Sequence, residues 1–340
     1  MHTSDRKIAI FGATGAVGQE LLRLIIDRKF PVNSLSLFAS QRSAGSTVKF
    51  KDHRVTLEVA TPESFAGCDI AFFSAGSGPS REFVPQAFAA GALVIDNSSA
   101  FRMDPEVPLC VPEVNPDALS PDKKLIANPN CTAAILLMAV NPLRQIGEIS
   151  RLIVSTYQSA SGAGAQAMEE LKTQSRDYLD GKPIVPNIMP HPYAFNLFSH
   201  NTAINEHGYN DEEWKVMLEA RKILSMPELP INVTCVRVPV LRAHSLSVTV
   251  EFDGVAPSEE MVREVLSRAP GVVLVDDRDS NTFPMPSETS GQNDVRVGRI
   301  RTDLSHKSAI SMFICGDQLL KGAALNAIQI AEHYIQNDYL

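Results

Sequence analysis

Two stretches of this chain carry residue types whose spacing could do chemistry. The first, Gly12-Ala-Thr14-Gly15-Ala16-Val17-Gly18, follows a β-rich run at Lys7–Phe11 and opens a helical pattern at Gly15–Asp27. Glycine lets the backbone turn tightly and approach a pyrophosphate, while a helix start offers unbonded N–H groups and partial positive charge. Strand, turn and helix in that order are the setting of a dinucleotide site, so Gly12, Thr14, Gly15, Ala16, Val17 and Gly18 are read as cofactor-binding. After the second predicted strand the chain reads Phe38-Ala-Ser40-Gln-Arg42-Ser43, with no carboxylate for a ribose diol. Ser40 and Arg42, with Ser43 beside them, could instead bond and neutralise a 2′-phosphate, which favours NADP over NAD. A solvated loop cation is the plainer reading of Arg42.

The second stretch is Asn128-Pro-Asn130-Cys131-Thr132, directly before the apolar run Ala133–Val140. A thiol in the first turn of a helix meets the positive potential that favours thiolate. Cys68, Cys110, Cys235 and Cys315 stand in strand-like or apolar surroundings and read as small core residues. On this setting alone Cys131 could be structural or catalytic. A nucleophile needs a proton acceptor and a positioned electrophile. His244 falls between two strand patterns, where a loop at a sheet edge would present it. Gln158 ends a strand just before Ser159-Ala-Ser161-Gly162-Ala-Gly164, a loop that invites close approach by a cofactor; its amide could bond a carbonyl or a water.

The elements that must position these residues change character along the chain. Strand patterns at Lys7–Phe11, Ser36–Ala39, Asp69–Ser74 and Leu93–Asp96 alternate with helical ones at Gly15–Asp27 and Pro79–Ala90, which predicts βαβ units and a parallel sheet. Further on, strand patterns at Ile149–Ser159, Thr234–Val240, Ser245–Phe252, Val295–Thr302 and Ser308–Ile314 alternate apolar and polar residues, as one-face-buried antiparallel strands do. A helix is expected over Ala165–Leu179 and another over Gln318–Ile335. Residues 183–210, broken by four prolines, read as an excursion without regular structure. The fold class is therefore α/β: a Rossmann-type domain over residues 1–130, completed by 318–340, plus an α+β domain over 131–317 with a mixed, largely antiparallel sheet.

Composition excludes several classes. A chain of 340 residues with 44% apolar residues and a net charge of −8 can bury large cores, and lacks the basic runs that phosphate backbones require. Nucleic acid is not an expected partner. No apolar stretch approaches the ~20 residues that cross a bilayer, and the start, Met1-His-Thr-Ser-Asp-Arg-Lys, leads straight into a strand with no room for a leader. Five scattered cysteines signal neither disulfides nor a metal site, so free thiols and a cytoplasmic protein are expected.

Taken in order, the GATGAVG turn, Ser74-Ala75-Gly76, Asp96-Asn-Ser-Ser-Ala-Phe-Arg102, Pro112-Glu-Val-Asn115, Asn128-Pro-Asn-Cys131, Tyr157–Gly164, Glu219-Ala-Arg-Lys222, Arg237-Val-Pro, His244 and Lys321-Gly-Ala-Ala-Leu-Asn326 resemble the aspartate-semialdehyde dehydrogenase family, in its compact bacterial branch, over nearly the whole chain. That resemblance implies Cys131 as nucleophile, His244 as general acid/base and Gln158 as the residue orienting substrate. It implies Arg237 and Glu219 on the α-carboxylate and α-ammonium, and Arg102, Asn130 and Lys222 around phosphate. It adds Ala75, Gly76, Ser161, Gly162 and Asn326 to the cofactor site. It also implies reduction of 4-aspartyl phosphate by NADPH through a thioacyl enzyme, on the route to lysine, methionine and threonine, and pairing of two subunits through the second domain. Leu320 and Ala220 depart from the family pattern. Two rival readings are an N-acetyl-glutamyl-phosphate reductase, against which the ammonium-binding Glu219 argues, and a catalytically silent binding protein.

Overall fold

The computed structural model describes residues Arg6–Leu340; the Met1–Asp5 part of the expected leaderless start lies outside the described residues. The chain divides into two compact units, one ending at Asn130 and regaining Ala323–Leu340, the other Cys131–Gly322.

In the first unit seven strands form one sheet: β1 (Arg6–Phe11), β2 (Val32–Phe38), β3 (Thr47–Phe50), β4 (His53–Glu58), β5 (Ile70–Phe73), β6 (Leu93–Asp96) and β7 (Leu125–Ala127), in the order β3-β4-β2-β1-β5-β6-β7. Only β3 with β4 is antiparallel. Strands β5 and β6 are buried at every position, the mark of central strands covered on both faces. Helix α1 (Ala16–Asp27) buries Leu21, Leu22, Leu24 and Ile25, and helix α2 (Ser77–Ala89) packs on β5 and β6. The C-terminal helix Leu325–Gln336 packs on α1 and β6, with Arg28 and Glu332 paired at 2.6 Å. The sequence reading began that helix at Gln318. Residues Leu320–Ala324 instead form a π-helical turn, in which Gly322 lies against Cys131; a Cβ there would sit 2.7 Å from the cysteine Cβ.

The second unit holds a mixed sheet. Its strands are β8 (Ile149–Gln158), β9 (Phe198–Ser199), β10 (Ile231–Arg237), β11 (His244–Phe252), β12 (Val272–Leu274), β13 (Val295–Thr302) and β14 (Ala309–Gly316), in the order β12-β13-β14-β11-β8-β10-β9. The pairs β8–β10 and β12–β13 are parallel and the others antiparallel. Helix α3 (Cys131–Val140) buries every residue from Thr132 onward, because apolar side chains surround its whole circumference. Helix α4 (Ala165–Leu179) has the expected bounds. Helix α5 (Asp211–Leu224) starts at a capping box in which Asn210 and Glu213 satisfy each other's backbone N–H groups. Two short helices, Glu259–Arg268 and Pro286–Thr289, complete the unit. The proline-broken excursion is held by its backbone: Glu170 accepts the N–H groups of Asn187, Ile188 and Met189, and Gln174 accepts that of Tyr193. Its only strand, β9, pairs Phe198 with Arg237 of β10. Among the described residues no helix is long and apolar enough to cross a membrane.

Candidate active site

Cys131 is the first residue of α3 and is half-buried. Its neighbour Thr132 accepts a hydrogen bond from Nε2 of Gln158 at 2.6 Å, which ties the helix that Cys131 starts to the end of β8. The same Gln158 nitrogen donates to Oε1 of Glu212 at 3.0 Å, while Gln158 Oε1 is buried with no partner. The amide therefore presents an acceptor, which suits the expected bond to a water rather than the one to a carbonyl.

The sequence reading placed His244 in a loop at a sheet edge. It is instead the first residue of β11, a central strand, opposite Gly316 and 1% exposed. The preceding strand ends at Arg237, two residues before Pro239 and short of the expected Val240, and the next begins at His244 itself, one residue earlier than its apolar pattern suggests. Nδ1 of His244 accepts the backbone N–H of Ser159 at 3.0 Å, and the Ser159 hydroxyl lies at the same distance. Burial, reinforced by the Arg237 guanidinium, pushes the imidazole down to about 3, so the ring is neutral.

Arg237 ends β10 in register with Gln158 of β8 and is 6% exposed. Its Nη1 donates to the carbonyl of Ser159 at 3.1 Å, its Nη2 to Nε2 of His200 at 2.8 Å, and its Nε has no partner. Gly162 separates Arg237 from His244: a Cβ there would lie 2.9 Å from Nη1 and 3.1 Å from Nε2 of the histidine. Burial also lowers His200, to about 4, with Arg237 acting in the same direction. Helix α5 packs on α3 and β10 and carries Glu212, Glu219 and Lys222, three residues at helical spacing. Glu219 is 1% exposed. Contacts thus join Thr132, Gln158, Ser159, His244, Gly162, Arg237 and His200 into one cluster. His200, Glu212 and Ser159 were not anticipated. Glu212 sits in a helix start that reads as capping, and His200 stands in a segment without periodicity.

Ser161 is buried among the hydroxyl of Ser159 and the amide of Gln318. Cys110, Cys235 and Cys315 are buried, and burial pushes Cys315 and the half-buried Cys68 up to about 11 and Cys235 higher still. No cluster of three metal-ligating side chains occurs among the described residues.

The remaining predicted residues belong to the first unit. Gly12 has φ +91°, and a Cβ on it would press the Ser74 carbonyl carbon at 2.8 Å; one on Gly18 would collide with the Gly12 carbonyl oxygen. Helix α1 begins after Gly15 with no side-chain cap, so its first-turn N–H groups are left for a ligand. The turn before it lines a cleft of about 380 Å³ through Gly12, Thr14 and Gly15, with Ser40, Gln41 and Ala75 on the other sides. Gly76 has φ +91° at the start of α2. Ser40 and Arg42 are exposed past the end of β2. Asn326 donates to the Cys110 carbonyl and to Asn128, while its own Oδ1 is buried and unbonded, an acceptor suited to an amide donor. Arg102, 8% exposed, donates to the carbonyls of Asn128 and Asn97, and Asn130 ends the segment. Glycine turn, cleft and orphaned acceptor fit a nicotinamide dinucleotide.

Residues 7–121 match the family model of the semialdehyde dehydrogenase NAD binding domain, and residues 140–321 that of the semialdehyde dehydrogenase dimerisation domain. An aspartate-semialdehyde dehydrogenase from Synechocystis sp. is 51% identical over 337 residues, 99% of each chain. One from Bacillus subtilis is 45% identical over 96% of each. A crystal structure of aspartate semialdehyde dehydrogenase II from Vibrio cholerae, complexed with ASA, superposes with a TM-score of 0.95 at 39% identity, covering 98% of this chain and 99% of that one. With both halves matched and full-length identity near one half, the chain belongs to the aspartate-semialdehyde dehydrogenase family.

Proposed function

We propose that this chain catalyses the NADPH-dependent reduction of 4-aspartyl phosphate to aspartate 4-semialdehyde and phosphate, serving lysine, methionine and threonine synthesis in the cytoplasm. The observation that carries this reading is Arg237, a buried guanidinium bonded only to neutral acceptors beside the neutral His244. No carboxylate is bonded to this guanidinium, so its fork is open to an anion and matches the substrate's α-carboxylate. Glu219 takes the α-ammonium, and Arg102, Asn130 and Lys222 take the phosphoryl group.

Cys131 thiolate attacks the acyl carbon; a C–S bond forms, the C–O bond to phosphate breaks, and phosphate leaves. When bound, the reduced nicotinamide supplies the hydride that turns the thioester into a thiohemiacetal. His244, neutral with its proton on Nε2, gives that proton to the developing oxyanion and takes it back as the C–S bond breaks, releasing aldehyde and thiolate. Gln158 offers Oε1 to the hydroxyl of the thiohemiacetal. The first unit, which ends at Asn130 and regains Ala323–Leu340, holds the dinucleotide; Arg42 and Ser40 receive the 2′-phosphate with Ser43. Residues 131–317 carry catalysis and pair two subunits through the sheet face bearing Tyr157 and Phe313, which pack together with the tyrosine 40% exposed.

The test runs the reaction backwards: aspartate 4-semialdehyde, phosphate and NADP, followed by NADPH absorbance. Phosphate-dependent NADPH formation is expected. Turnover with N-acetylglutamate semialdehyde alone would transfer the chain to the rival reductase, and silence with both would overturn the reading.

A further inference from the structure

We propose that His200, delivered by the proline-broken excursion, is a positioning residue that aims the Arg237 guanidinium without neutralising it. The proposal rests on the reading of Arg237 as the carboxylate anchor. His200 is 9% exposed and follows β9 directly, and its backbone N–H donates to the Cys235 carbonyl at 2.9 Å, so the ring is tied to the strand that carries Arg237. Its Nε2 accepts from Arg237 Nη2 at 2.8 Å, which places its proton on Nδ1, 3.4 Å from the Thr202 hydroxyl.

A carboxylate in this position would hold the guanidinium better but would compete with the substrate for its charge. An imidazole kept neutral by burial fixes one arm of the fork and leaves the full positive charge for the incoming carboxylate. Ser159 does the same for the other arm with a backbone carbonyl. Both supports are neutral, so neither occupies the fork with a negative charge, and the nearby Glu212 carboxylate is held by Gln158 rather than by Arg237.

The experiment measures KM and kcat for aspartate 4-semialdehyde, with KM for phosphate and NADP as controls, in His200→Ala, His200→Gln and His200→Glu. His200→Ala should raise KM for the aldehyde about tenfold with kcat within about threefold, because a binding contact is lost rather than one made in the transition state. His200→Gln, which keeps an acceptor, should recover most of that loss. His200→Glu, which neutralises Arg237, should bind worse than His200→Ala. If His200→Ala does not fold, His200→Phe, which keeps a ring without the acceptor, is read in its place. An unchanged KM in the acceptor-less variant, or His200→Glu binding as well as wild type, overturns the proposal. Arg237→Ala, run in parallel, separates the two readings. If it leaves the aldehyde KM unchanged, the anchor assignment itself fails. If it raises KM while His200→Ala does not, only the role of His200 fails. On the Arg237→Ala background His200→Ala should add no further loss, and additive losses would also refute it.

Discussion

The backbone N–H of Ser159 points at Nδ1 of His244 across 3.0 Å. A nitrogen that accepts this bond cannot carry a proton, so the neutral ring holds its hydrogen on Nε2 and presents a donor on the side of Gly162. Gly162 is what lets that edge of the ring stand open.

Gly162→Ala is the first prediction. The new methyl would meet Arg237 Nη1 at 2.9 Å and His244 Nε2 at 3.1 Å, against side chains fixed on two strands. Overpacking of this kind costs about 1–3 kcal/mol, so kcat/KM for the aldehyde should fall roughly 10- to 100-fold. The fold should survive, because Gly162 has an ordinary negative φ. Steady-state kinetics with circular dichroism as control decides it, and unaltered kinetics would refute the geometry.

Acid should destabilise the protein through its buried histidines. Burial is the main cause that lowers His244 to about 3 and His200 to about 4. The unfolded chain, with histidines near pH 6.5, then binds more protons than the folded one below that pH. The stabilisation is complete above about pH 6.5 and is lost as pH falls toward 4, by about 1.4 kcal/mol per pH unit for each histidine. Urea midpoints at pH 7.5, 6 and 5 should decline, and less steeply in His200→Gln; parallel slopes would sink the idea.

Cys131→Ala should abolish turnover, by about four orders of magnitude or more, while calorimetry still detects NADP binding. Gly322→Ala tests the same residue from behind, since its methyl would lie 2.7 Å from the Cys131 Cβ and push the nucleophile out of place. Wild-type activity in either variant would contradict the assignment.

Arg42→Ala should raise KM for NADP about tenfold and leave NAD use unchanged, the effect of losing one charge-assisted contact to phosphate. Equal changes for both cofactors would remove Arg42 from the 2′-phosphate site.

Much of this was legible in the sequence because periodicity reports burial. Strands β5 and β6 are apolar at all but one position, β1 ends in the buried run Ile8–Phe11, and α4 repeats its buried face every turn, so their bounds could be read within a residue or two. The β3–β4 hairpin was not seen, since its residues are mostly exposed and show no apolar pattern. Strand β2 was read only at its tail, because Asn33 and Ser34 dilute its first half. Glycines and the helix-tip cysteine announce themselves by local backbone demands. His200 does not, because its role arises from a β9–β10 pairing between segments far apart in the chain, and nothing near it in sequence records that pairing.

Helix α3 is closed in by side chains from Thr132 to its end. Its amide hydrogens should therefore exchange with solvent only when the whole second unit opens, which makes the support of Cys131 among the last elements to come apart. Loss of the reactive sulfur's alignment and loss of the fold would then be one event, and heating should yield no folded but inactive species.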